Sequence, residues 1–117
     1  MNAQKIEKLK SIGHIQVSAQ EIAEVHEKLA SGSKVCETIC EWIIKKAAGS
    51  GTCMAGEAAL SGIFTLAEAV FFPEGEAILV PLEVVVDASW GAVCGEIGIK
   101  TLGKDAHKYA KLWCSKI

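Results

Sequence analysis

Residues 53–72 read CMAGEAALSGIFTLAEAVFF and residues 76–98 read EAILVPLEVVVDASWGAVCGEIG. How these two stretches fold decides the architecture. The first is apolar nearly all round, interrupted only by Glu57 and Glu68. Those two acids lie eleven residues apart, three helical turns, so a helix from Cys53 to Phe72 puts them on one face. Pro73-Glu74-Gly75 then breaks the chain. The second stretch carries Ile78-Leu79-Val80 and Val84-Val85-Val86, β-branched enough to be strands. No other segment of the chain is strand-like, and a strand without partners is not stable in water. The stretch therefore reads as a helix, with Pro81 near its first turn or kinking it. On that helix Glu83 and Asp87 lie one turn apart.

The flanking segments are helical by their spacing. Val35, Cys36, Ile39, Cys40, Ile43 and Ala47 recur at three- and four-residue steps, which predicts a helix over Lys34–Ala48. Glu37, Glu41 and Lys45 form a charged ladder on another face. Gly49-Ser50-Gly51 ends that helix and Thr52 caps the next. Upstream, Ser18-Ala-Gln-Glu21 fits a capping box, opening a helix to Ala30 that buries Ile22, Val25 and Leu29, and Ser33 is an N-cap candidate. A short amphipathic helix is expected over Ala3–Ser11. Gly98 and Gly103 bracket the last break, before a final helix over Leu102–Ser115 with Leu102, Ala106, Tyr109, Ala110 and Trp113 on its apolar side. The expectation is an all-α chain, a single compact domain over 1–117: about six helices with a central apolar helical hairpin.

Hydrophobic residues make up 50% of the 117 and the mean hydropathy is +0.30, which excludes disorder. All twelve basic residues are lysine. Paired reading of guanine or phosphate is mostly arginine work, so with a net charge of −2 nucleic-acid binding is not expected. The charge is unevenly placed. Residues 51–99 hold seven acids and no base, whereas residues 100–117 hold five Lys and one Asp.

No arrangement with catalytic spacing stands out. Ser50 lacks a nucleophile elbow, and the Gly-Ser-Gly turn lacks the Lys-Ser/Thr of a phosphate loop. His14, His26 and His107 are scattered and read as exposed. Zinc would need Cys/His pairs the chain does not offer, so neither metal nor other cofactor is expected. The five cysteines Cys36, Cys40, Cys53, Cys94 and Cys114 are disulfide candidates, two bonds and one thiol in fifteen possible pairings. Cys36 and Cys40 share a helix face, so each would reach a different helix if oxidised. Such bonds fit a secreted mature form without its signal peptide; a cytoplasmic protein with buried thiols is the alternative.

The spans Met54–Phe72 and Ala77–Gly95 are 19 residues each, near the length that crosses a bilayer. Each carries two acids, so permanent spanning is disfavoured, but conditional entry from a soluble bundle is open. Glu57, Glu68, Glu83 and Asp87 are the candidate acidic switch. Gly91-x-x-x-Gly95 and the Ala55/Ala59 and Ala58/Gly62 pairs are small-residue faces for close helix contact. Lys104, Lys108, Lys111 and Trp113 are candidate membrane contacts, as on a helix lying at a lipid interface. The expected function is a non-enzymatic, membrane-active or lipid-binding protein, antimicrobial or toxin-like. The alternative is a structural or interaction module that buries its apolar surface in a homo-oligomer or a partner.

Overall fold

The computed structural model describes residues 18–32, 34–71 and 75–117. The expected helix over Ala3–Ser11, His14 and the Ser33 cap lie outside them. The protein is all-α, with six helices among the described residues: α1 Ala19–Ala30, α2 Val35–Ala48, α3 Cys53–Val70, α4 Glu76–Ile97, α5 Ile99–Lys104 and α6 Ala106–Cys114.

Helix α2 is the innermost. Ile39, Cys40, Ile43, Ile44 and Ala47 are fully buried, and α1, α3, α5 and α6 all pack on it. Trp42 and Ile44 join the buried stripe, which is therefore wider than the three-and-four spacing implied. Its polar side keeps the charged ladder, with Lys45 Nζ 3.4 Å from Glu41 and Lys34 Nζ 3.5 Å from Glu37. Helix α3 starts as expected: the Thr52 hydroxyl accepts a hydrogen bond from the Ala55 N–H at 3.0 Å. At α1 half of the capping box forms. The Ser18 hydroxyl accepts from the Glu21 N–H at 3.1 Å, but the Glu21 carboxylate reaches Lys46 at 2.7 Å instead of turning back.

The stretch Ile78–Val86 is helical, inside α4. Pro81 is the sixth residue of that helix and removes one N–H from the ladder. Pro81 and Ala77 are both exposed. Helices α3 and α4 form the expected apolar hairpin. Their contact is close at Gly56, where a Cβ would lie 2.7 Å from the Trp90 ring and 3.0 Å from the Ala47 carbonyl oxygen. The Trp90 indole N–H donates to the Cys53 carbonyl at 3.0 Å. Only one side of α4 is covered: 28% of its most apolar stretch is buried, against 44% in α3.

Three expectations are corrected at the edges. The last helix is two helices, because Asp105 (φ −98°, ψ 27°) leaves helical geometry between α5 and α6. Gly103 does not mark a break. It lies inside α5, where a Cβ would stand 2.9 Å from the Ala48 Cβ, so a small residue lets α5 press on α2. His26 is half-buried, not exposed: its Nε2 meets the Val70 carbonyl oxygen at 2.5 Å and its ring packs on Phe71. It seats α1 on the C-terminal end of α3.

Candidate functional site

Two surfaces of opposite charge and a particular cross-linking pattern stand out. The first surface is the outer side of the α3–α4 hairpin. Met54, Glu57, Ala58, Ser61 and Glu68 are the exposed stripe of α3. On α4 the exposed residues include Val80, Val84, Asp87, Gly91 and Gly95. Met54 is 81% exposed, Val84 67% and Val80 65%. Gly91 and Gly95 have no neighbour within 4 Å of where a Cβ would stand, so their small faces look outward.

The four candidate switch acids come together on this surface. Glu83 is raised from its ordinary value by partial burial first, then by Asp87 on its own helix and Glu68 across the hairpin. Asp87 is raised by partial burial and then by Glu57. Among the described residues no lysine or histidine pairs with any of the four, in keeping with the absence of bases from residues 51–99. A raised folded pKa means that the protonated form suits the fold better. The stability these two groups contribute is complete below their ordinary, unfolded values and is lost as pH rises through the raised folded values. Acidification therefore tightens the contact of α3 with α4 while it removes the charge. Changing Glu83→Gln together with Asp87→Asn should raise the thermal midpoint at about pH 7 and leave it unchanged near about pH 3, followed by circular dichroism.

The second surface is the outer side of α5 and α6. Lys100, Lys104, Lys108 and Lys111 are all exposed, and among the described residues none meets a carboxylate within ion-pair distance. Lys108 lies 5.7 Å over the Tyr109 ring. Trp113 does not belong to this surface. It is fully buried, with Trp90 on one side at 6.4 Å between ring centroids and Tyr109 on the other at 6.1 Å. The apolar side of α6 is thus a layer of the core, and in this form the indole is not open to lipid. The correction follows from size: the largest apolar side chain gains most from burial against α4.

Two disulfides tie the helices, Cys36–Cys114 and Cys53–Cys94. Sequence spacing could not choose among the pairings. Cys40 stays a thiol, buried in the core and pushed up to about 12 by that burial, so it is inert; contrary to expectation it forms no disulfide to another helix. The pattern divides the bundle. Cys53–Cys94 joins the start of α3 to the end of α4, closing the hairpin at the end opposite its turn. Cys36–Cys114 joins α2 to α6. No disulfide links one pair to the other. What joins them covalently is the turn Gly49–Thr52 and the single residue Gly98, whose φ of +86° lies where glycine is at ease. The hairpin is a covalently closed unit joined to the other helices by two short connections.

Among the described residues, no group of three or more His, Cys, Asp or Glu side chains is placed to hold a metal ion. The surface depressions are open and mixed in character; one of about 220 Å³ between α1 and α2 is lined by Glu21, Lys28, Glu41, Trp42 and Lys45. Comparison with protein-family models, with curated proteins and with solved structures finds no match to this chain.

Proposed function

We propose that this chain is a non-enzymatic, membrane-active protein, antimicrobial or toxin-like, that is soluble as a bundle and enters lipid through its α3–α4 hairpin. The observation that carries the reading is the hairpin's outer side. It presents exposed valines and a methionine, its only charged groups are carboxylates, and it belongs to a unit closed by its own disulfide. Both helices have the length and composition to enter a bilayer. An ionised side chain at the bilayer centre costs roughly 2.5–3.5 kcal/mol on insertion scales, so four of them hold the hairpin in water. Protonating Glu57, Glu68, Glu83 and Asp87 removes that barrier. The lysine row supplies the first contact, worth about 1 kcal/mol per lysine at an anionic surface. The two disulfides favour an oxidising, extracellular setting.

Dye release from anionic phospholipid vesicles, titrated from about pH 7 to about pH 4, tests the reading across the carboxylate range. Release is expected to rise as the pH falls. The Glu68→Gln, Glu83→Gln double variant should begin to release dye at a higher pH than the parent. Neutralising Lys104, Lys108 and Lys111 together to Gln should weaken vesicle binding by roughly a hundredfold. Neither binding nor release anywhere in that range would remove the proposal.

A further inference from the structure

We infer that copies of this chain associate head to tail at neutral pH, the outer side of the α3–α4 hairpin of one copy seating on the lysine row of α5 and α6 of the next. The partner is a second copy of this chain, and the charge pattern selects it. One side holds Glu57, Glu68, Glu83 and Asp87, and no cation of the described residues forms an ion pair with them. The other holds Lys100, Lys104, Lys108 and Lys111, none of them within ion-pair distance of a carboxylate among the described residues. Within one copy the acids repel one another across the hairpin and the lysines repel one another along α6. A second copy relieves both at once.

The surfaces are placed for this contact. Helix α2 packs on α3 and on α6, and α4 packs on α3 and on α6, so α3 and α6 occupy opposite corners of the bundle. Each surface can engage a different neighbour without obstructing the other. Each also offers apolar area: Met54, Val80 and Val84 on the acidic side, Leu112 at 46% exposure beside the lysines. A contact between two different surfaces is heterologous. It does not close as a two-fold dimer but continues into a ring or an open chain. Association that rests on unlike charges at a surface weakens with salt. The inference is read in water and stands or falls without any lipid activity.

The test is sedimentation velocity of the oxidised full chain at neutral pH, in low and in high salt. Two variants each disable one surface: Glu57→Gln with Glu68→Gln and Asp87→Asn, and Lys104→Gln with Lys108→Gln and Lys111→Gln. All six positions are exposed. In low salt the parent's mass should climb with concentration past twice the 12.4 kDa monomer, and high salt should return it to monomer. Each variant alone should remain monomeric. An equal mixture of the two should stop at the dimer, because only one live surface of each kind remains. Any of three results overturns the inference: a parent monomeric in low salt, a variant that associates alone as the parent does, or a mixture that stays monomeric while each variant is folded by circular dichroism.

Discussion

Trp90→Ala is expected to lower the stability of the oxidised protein by about 3–5 kcal/mol, the range for deleting a large buried aromatic side chain. Trp90 is fully buried and joins three parts of the bundle. Its ring fills the space left by Gly56 on α3, its N–H holds the Cys53 carbonyl, and its ring lies tilted against Trp113 of α6 at 6.4 Å between centroids. Removing it leaves a void at the seam between the hairpin and the α2–α6 pair, lined on two sides by backbone that cannot collapse inward. Trp90→Phe keeps one ring of the two but loses the N–H and the indole edge against Gly56, a smaller cost of about 1–3 kcal/mol. Urea unfolding followed by far-ultraviolet circular dichroism reads both. Equal losses for the two variants would mean that the volume at the seam does not matter.

The second large effect is loss of the disulfides. The rings are nested: Cys53–Cys94, separated by 41 residues, lies inside Cys36–Cys114, separated by 78. With the inner bond closed, the outer ring is effectively about 37 residues, and the chain-entropy relation then gives about 4 kcal/mol for Cys36→Ser with Cys114→Ser. The same relation gives about 3 kcal/mol for Cys53→Ser with Cys94→Ser, and about 8 kcal/mol for all four. Nesting makes the four-fold variant lose more than the two pairs separately. A domain of this size has roughly 5–15 kcal/mol in total, so full reduction should leave the chain largely unfolded while either pair alone leaves it folded. Urea midpoints for the three variants check this. A reduced chain as stable as the oxidised one would show that the disulfides do little for the fold.

Much of the fold was legible because its signals are local. Thr52 and Ser18 accept the predicted N–H groups, and the spacing of Ile39, Ile43 and Ala47 marked the buried side of α2. The helical reading of Ile78–Val86 rested on exclusion: those valines suit a strand, but nothing in the chain could pair with one. What stayed hidden depends on distance in space. A cysteine pairing over 78 residues leaves no trace in spacing. A helix apolar all round has no periodic signal to say which side faces out, so the exposure of Val80 and Val84 came only from the structure. Trp113 shows the reverse case. The amphipathic pattern found its side of the helix correctly, but an apolar stripe reads the same whether it meets lipid or α4. The grouping of Glu57, Glu68, Glu83 and Asp87 was half legible: each helix placed its own two acids, and their meeting across the hairpin needed the fold.

To enter lipid the hairpin must part from the α2–α6 pair as one closed unit. Amide hydrogen exchange on the oxidised protein, with anionic vesicles at about pH 4.5 and without them at about pH 7, measures that directly. With vesicles, α3 and α4 should stay protected, while α2 and α6 lose protection because they no longer pack on the hairpin. Protection retained in all four helices, as in water, would mean that the bundle never opens, and would contradict the account.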